Sequence, residues 1–396
     1  MKILQITNLG YEHGGVETGI VLLRDELSSR GHEVKIFTSN ARPDLPHFSD
    51  IEFEALEHLP KILQVLFRSF YPAPYIALKK ILKEFNPDIV HVHTISQISP
   101  SILFLLKTYP TAVTVHQTED YTISILPWSF PRRFFRGGTY RKNDMTFTGR
   151  VHFYYHRTVS KTIYHLAFRN VDVVISLSKY MQKCLREDGI ESVYMSNTTK
   201  LFDAARVDIG GQCILFVGRL EQTKGVQTVI SALPEILSRF PNTKFTIVGR
   251  GDYQTELESL AAKLQVNERV EFVGFQNRKQ LSELYSHATV IVMPSIWPES
   301  FGKVGIEAMS VGRPVIATNI GGTSDWLSDG VNGFFIEPND DSKLAEKITA
   351  LFSDAALLER FSAKAEETAQ NFNIHHHVDV LLELFEKIAS RQSQYL

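Results

Sequence analysis

Short apolar runs alternate with longer amphipathic segments from one end of this 396-residue chain to the other. That alternation is the pattern of parallel strands joined by crossover helices. In the first half the runs predict strands at Lys2 to Thr7, Glu33 to Thr38, Ile89 to Val92, Ala112 to His116, Val171 to Ser176 and Ser192 to Met195. In the second half they recur at Cys213 to Val217, Lys244 to Val248, Val270 to Val273, Thr289 to Met293, Pro314 to Thr318 and Phe334 to Glu337. Each half therefore has its own doubly wound sheet, and each opens alike, with a strand, a glycine-bearing loop and a helix. The loops are Asn8 to Gly15 and Gly218 to Gly225. Two domains also fit the length, because a single core stops growing at about 250 to 300 residues. The joint falls between Asn197 and Gly211, where strand signals lapse and Gly210 and Gly211 precede a new buried run. Val378 to Ala389 closes the chain with apolar residues at helical spacing.

Composition excludes several classes. A formal charge of -2 and a pI near 6.7 give no electrostatic footprint for nucleic acid. Cys184 and Cys213 form no Cys-x-x-Cys pair and no disulfide framework, which fits a reducing compartment. Polar residues interrupt Met1 to Asn8 too early for a signal-peptide core, and no apolar run reaches about 18 residues. The expectation is a cytoplasmic protein that at most rests on the inner face of a membrane.

Chemistry concentrates where strands end. From Pro294 to Thr318 a strand end leads through Trp297, Glu299 and Gly302 into a helix and out to the next strand. A helix starting near Gly302 offers free N–H groups and its positive dipole end to an anion such as a diphosphate. Glu299 lies just before that helix and Glu307 about five residues inside, a rise of roughly 7.5 Å that matches the span of a diphosphate. One carboxylate would accept hydrogen bonds from hydroxyls of a donated sugar and the other from a ribose diol. Taken singly, each glutamate reads as an ordinary surface carboxylate. Phe216 to Val226 repeats the strand-loop-helix arrangement and supplies Arg219 and Lys224, a planar two-toothed donor and a compact ammonium, for the same anion. No Asp-x-Asp pair occurs to hold a divalent metal on a nucleotide sugar. Fixed cations and helix N–H groups would then stabilise the leaving group. A metal site and a cofactor are not expected.

The ordered set of motifs resembles the large retaining family of GT-B glycosyltransferases, family 4, also called glycosyl transferases group 1. It comprises Gly14-Gly-Val-Glu17, Arg30 to Val34, Thr114-Val-His116, Gly218-Arg-Leu220 with Lys224-Gly225, the glutamate pair, Gly312 to Thr318, Gly321-Gly322 and Asp329 to Phe334. The resemblance spans nearly the whole chain. It implies two facing Rossmann-like domains, with residues 1–200 binding the acceptor and 201–375 the nucleotide sugar. A helix over 376–396 would pack back toward the first domain. It implies transfer of a hexose or N-acetylhexosamine with retention, as in enzymes of lipopolysaccharide, exopolysaccharide and glycolipid synthesis.

By resemblance Arg219 and Lys224 bind the donor diphosphate, Glu299 the transferred sugar and Glu307 the ribose. Phe301, Gly302, Lys303 and Val304 line sugar and phosphates through their backbone, and the base sits near Gly274 and Phe275. Gly14 and Gly15 let the first loop approach the phosphates, and His116 touches the sugar near the reacting carbon. Without the family, a histidine after an apolar strand reads as a structural hydrogen-bonding residue.

Three positions depart from the family pattern. Gln117 follows Thr-Val-His where an aspartate is usual, with Glu119 or Asp120 the nearest carboxylates. Ser196-Asn-Thr198 replaces Pro-Asn-Gly, and Gly321 to Asp325 replaces Gly-Gly-x-Pro-Glu.

The acceptor side is read from Tyr121 to Asn143, where Arg132, Arg133, Arg136, Arg141 and Lys142 interleave with Trp128, Phe130, Phe134 and Phe135. Such a segment can grip an acceptor's pyrophosphate or lie on anionic headgroups, or be a solvated loop with aromatic anchors. Leu59 to Phe85, with Lys61, Arg68, Lys79, Lys80 and Lys83, reads as an amphipathic or half-buried helical stretch. A glycan or lipid-linked acceptor follows from this. A nicotinamide oxidoreductase is disfavoured, since the first loop lacks Gly-x-Gly-x-x-Gly and the second strand ends without an acid for the ribose. The remaining alternative is a non-catalytic sugar-nucleotide-binding protein with the same fold.

Overall fold

The computed structural model describes residues 1–11, 14–60, 63–64, 67, 70–95, 98–109, 113–118, 161–203 and 211–392. Arg132, Arg133, Arg136 and the rest of the basic aromatic segment, with Glu119 and Asp120, lie outside them.

The first unit is built on a seven-stranded sheet ordered β3-β2-β1-β4-β5-β6-β7, every pairing parallel. The strands are β1 (Lys2–Leu9), β2 (Glu33–Ser39), β3 (Ile51–Phe53), β4 (Ile89–Val92), β5 (Val113–Thr118), β6 (Val173–Ser176) and β7 (Val193–Tyr194). Among described residues its helices are α1 (Gly15–Ser29), α2 (Pro72–Phe85), α3 (Ser101–Leu106), α4 (Lys161–Phe168) and α5 (Lys179–Glu187). The central strands are buried on both faces, as parallel strands covered by helices must be, and apolar side chains dominate them, with Gln5, Thr7 and His91 buried among them.

β3 was not expected. It is three residues at the sheet edge, with Glu52 between Ile51 and Phe53, too short to show a period. β5 runs two residues beyond His116, so His116 lies inside the strand rather than at its end. Side chains alternate across the sheet. His116 pairs in register with Val92 and Val174, and its ring sits 4.8 Å from Phe168 of α4. On the other face His91 lies 5.5 Å from Phe385.

Phe385 belongs to the last helix of the chain, which joins this first unit although residues 199–373 intervene. Its Val378, Leu381 and Phe385 are fully buried with Ile3, Ile89 and Val115.

The second unit spans 199–373 among described residues, on a six-stranded parallel sheet ordered β10-β9-β8-β11-β12-β13. Its strands are β8 (Cys213–Val217), β9 (Lys244–Val248), β10 (Val270–Gly274), β11 (Val290–Met293), β12 (Val315–Thr318) and β13 (Gly333–Ile336). Its helices are α6 (Val226–Arg239), α7 (Gln254–Lys263), α8 (Arg278–His287), α9 (Lys303–Ser310), α10 (Asp341–Ser353) and α11 (Ala355–Gln370). The closing helix of the first unit, α12, is Ile374–Gln392. The chain leaves the first unit after Thr198 and re-enters it at Ile374, and Thr199 pairs with Asn373 in an isolated parallel bridge.

Candidate functional site

In the second sheet the strand order reverses between β8 and β11. That is where an open α/β sheet leaves a crevice beyond the carboxyl ends of its strands. The two loops flanking it are the ones that carry Lys224 and Glu299. Gly225 has φ 72°, a left-handed conformation that favours glycine, and a Cβ there would lie 1.8 Å from the Pro294 carbonyl oxygen. This close approach brings the loop after β8 onto the end of β11. As a result Lys224 Nζ donates to Glu299 Oε1 at 2.7 Å across 75 residues of sequence.

Glu299 is held on every side. Ser295, buried at the end of β11, donates its hydroxyl to the same Oε1. Thr318 Oγ1 donates in turn to the Ser295 carbonyl at 2.6 Å. Gly322 N–H donates to the Glu299 carbonyl at 2.7 Å, and Glu299 forms a parallel bridge with Gly321. Gly321 has φ 75°, and a Cβ there would lie 2.3 Å from the Glu299 carbonyl oxygen, so the Gly-Gly motif serves to seat this glutamate. Burial pushes the Glu299 carboxyl up, but the charge of Lys224 and the hydrogen bonds from Lys224 and Ser295 outweigh it. The group sits below its ordinary range.

Glu307, on α9, is held differently. Thr199 Oγ1 donates to its Oε1 at 3.1 Å and the phenol of Tyr285, on α8, to its Oε2 at 3.2 Å. Burial dominates here and pushes its carboxyl up, with these hydroxyls and the Arg278 charge opposing only in part. Arg278 stacks 4.0 Å over Phe202 and donates to the Leu201 carbonyl at 3.0 Å and to that of Lys200. Among the described residues, Glu307 therefore lacks the direct cation that Glu299 has.

Between the two carboxylates α9 begins. Gly302 caps it with φ 91°, and a Cβ there would meet the Met293 methyl at 2.9 Å. Lys303 and Val304, both half-buried, open the helix, and the Gly305 N–H donates to the Gly302 carbonyl at 3.0 Å. Phe301 differs from its neighbours: its ring is in the core and its carbonyl accepts from Trp326 Nε1 at 2.7 Å. The same indole fills the space where a Cβ on Gly305 would fall, 2.2 Å from it.

The remaining sequence candidates are distributed as follows. Arg219 is 61% exposed at its side chain and pairs with Glu221 at 2.6 Å, while its charge still helps lower Glu299. Gly274 ends β10 with φ 69° and its carbonyl accepts from Gly249 N–H at 2.8 Å, and the Phe275 ring beyond it is 63% exposed. His116, Gly14 and Gly15 belong to the first unit, where Gly14 caps α1 and His116 is 2% exposed.

Sequence reading missed Ser295, Thr199, Tyr285 and the loop Gly249-Arg250-Gly251. A Cβ on Gly249 would lie 1.9 Å from the Gly218 carbonyl oxygen, and one on Gly251 2.2 Å from that of Leu220. Strand-end glycines at both loops were the available signal.

Known proteins match this arrangement. The family model for glycosyl transferases group 1 matches residues 198–368, and that for glycosyltransferase family 4 matches residues 13–195. A phosphatidyl-myo-inositol mannosyltransferase of Mycobacterium leprae is 26% identical over 391 residues, covering 96% of this chain and 95% of that protein. An uncharacterized glycosyltransferase of Methanocaldococcus jannaschii is 41% identical over 141 residues, and the match spans 36% of this chain and 36% of that one.

Among solved structures, sucrose-phosphate synthase from Thermosynechococcus elongatus superposes with a TM-score of 0.78 at 22% identity, covering 98% of this chain and 99% of that one. HepE of Anabaena, solved with UDP and glucose, gives a TM-score of 0.71 at 20% identity, covering 98% of this chain and 100% of that one. Both share the GT-B fold of two parallel-sheet Rossmann-like domains.

Proposed function

The chain belongs to the GT-B glycosyltransferases of family 4, and from that premise we propose that it transfers a hexose or N-acetylhexosamine, with retention, from a nucleotide-diphosphate sugar to a hydroxyl of a glycan or lipid-linked acceptor. The observation that carries this reading is the Lys224–Glu299 pair at the switch point, beside the start of α9. One member is a cation suited to a leaving diphosphate and the other a carboxylate suited to sugar hydroxyls.

In this reading the acceptor hydroxyl attacks the anomeric carbon from the face the diphosphate is leaving. The C–O bond to the β-phosphate breaks, and the departing phosphate oxygen takes the hydroxyl proton. No side chain need act as nucleophile. Lys224, Arg219 and the first N–H groups of α9 stabilise charge as it develops on the diphosphate, without a metal. Glu299 orients the sugar, Glu307 holds the ribose, and the base lies by Gly274 and Phe275. By the family resemblance, His116 is assigned to the sugar and Gly14 and Gly15 to the phosphates.

The printed name of the Mycobacterium leprae relative, which matches along 95% of its length, supports a lipid-linked acceptor. The basic aromatic segment at 121–143 supports the same and suggests peripheral contact with the inner face of a membrane. No helix among the described residues is long and apolar enough to cross one.

The test is a hydrolysis and thermal-shift screen with UDP-, GDP- and ADP-sugars. One donor should stabilise the protein and slowly release its nucleoside diphosphate. Binding to a donor without any release, with or without acceptor, would leave only a non-catalytic binder.

A further inference from the structure

We propose that Tyr285 and Thr199 are positioning residues that hold the Glu307 carboxylate open to a vicinal diol and so set the enzyme's preference for ribonucleotide over dideoxyribonucleotide donors. The proposal rests on the reading of Glu307 as the ribose contact.

A carboxylate offers about four lone-pair sites on two oxygens. In Glu307 one hydroxyl is spent on each oxygen, Thr199 on Oε1 and Tyr285 on Oε2. The remaining site on each oxygen forms a two-pronged acceptor, the geometry that two adjacent hydroxyls fill. Neither donor is free to wander. The Tyr285 side chain is fully buried, and Arg313, itself 3% exposed, donates through Nε to the Tyr285 carbonyl at 3.2 Å and through Nη2 to that of Ser286. Thr199 is 7% exposed and is pinned through its N–H to the Phe372 carbonyl at 3.4 Å and by its bridge to Asn373.

The two hydroxyls also matter to charge. The groups facing Glu307 are Thr199, Tyr285, the Arg278 guanidinium and the Lys303 ammonium, and burial opposes all of them. Losing a hydroxyl donor removes one of the few influences that keep this carboxylate ionised. Its titration would move further upward, and diol binding would fail at a higher pH.

The experiment uses the full chain and whichever of UDP, GDP or ADP binds most tightly, with its 2′,3′-dideoxy counterpart, titrated calorimetrically between pH 5 and 8. Wild type should prefer the ribonucleotide, and Glu307→Gln should lose that preference. Tyr285→Phe and Thr199→Val should each cut the preference by roughly fivefold, the scale of one hydrogen bond to a charged group, and move the pH midpoint of binding upward. Thr199→Ser, which keeps the hydroxyl, should restore both. A melting scan of each variant separates this from a loss of fold, which shifts neither the ribose preference nor the midpoint. If Glu307→Gln abolishes the preference while Tyr285→Phe and Thr199→Val retain wild-type preference and midpoint, the positioning role is refuted and the ribose contact stands. If Glu307→Gln itself keeps the preference, the ribose reading fails and the proposal falls with it.

Discussion

Lys224→Ala separates chemistry from folding most sharply. The ammonium is bound to Glu299 at 2.7 Å, with side-chain exposures of 25% for the lysine and 15% for the glutamate. Its loss to folding is that of one ion pair partly screened by water, about 1 kcal/mol, with the Ser295 hydroxyl still donating to Glu299. For a folding unit of the size of residues 199–373 that lowers the melting temperature by roughly 2 to 4 °C.

Its loss to catalysis is larger, because a preorganised charge beside a leaving diphosphate acts where negative charge grows. Removing one such donor costs about 10²- to 10³-fold in kcat, or about 3 to 4 kcal/mol. Lys224→Met, which keeps the stem and removes the charge, should behave the same. The assay is nucleoside diphosphate release under saturating donor, run beside a melting scan. A variant that melts a few degrees lower yet turns over near the wild-type rate would refute the assignment. So would one that loses activity only in proportion to unfolding.

Other expectations follow from the same geometry. Gly321→Ala should reduce turnover by about 10²-fold without removing any group assigned to the donor, since its Cβ would displace the Glu299 backbone. Gly330→Ala, with φ 73° but no atom within 4 Å, should cost only the left-handed penalty of about 1 to 2 kcal/mol and keep activity. Glu307→Gln should melt slightly higher than wild type at pH 7, because burial holds this carboxyl up and makes its ionised form unfavourable in the fold. The gain should vanish below the ordinary carboxylate range of about 4, where both folded and unfolded chains are protonated. Glu299 has the opposite sign: its depressed carboxyl stabilises the fold above that range and loses the contribution as pH falls through its lowered value. Glu299→Gln should therefore flatten the acid limb of the stability curve.

How much of this was legible in the sequence depended on burial. β8, β9 and β4 match the expected runs residue for residue, because strands covered on both faces are mostly apolar. β3 was invisible because it is short and lies at an edge. The motif residues were visible as types, but not their partners. Lys224 and Glu299 meet only because β8 and β11 become neighbours at the reversal of strand order, and Gly225 permits the approach. Arg219, assigned to the anion by resemblance, pairs with Glu221 in this structure while its charge helps lower Glu299. Arg313, within the Gly312 to Thr318 motif, donates to carbonyls of α8. His116 looked like a strand end because Gln117 and Thr118 are polar, though both are buried in the same strand.

The central claim is that this second unit delivers a sugar from a nucleotide donor without inverting it. Proton NMR of the sugar released from an α-linked donor, followed before the anomers equilibrate, tests it directly. Wild type should yield the α-anomer first, and Glu299→Ala should release sugar far more slowly. Initial appearance of the β-anomer, or equal release by wild type and Glu299→Ala, would contradict the account.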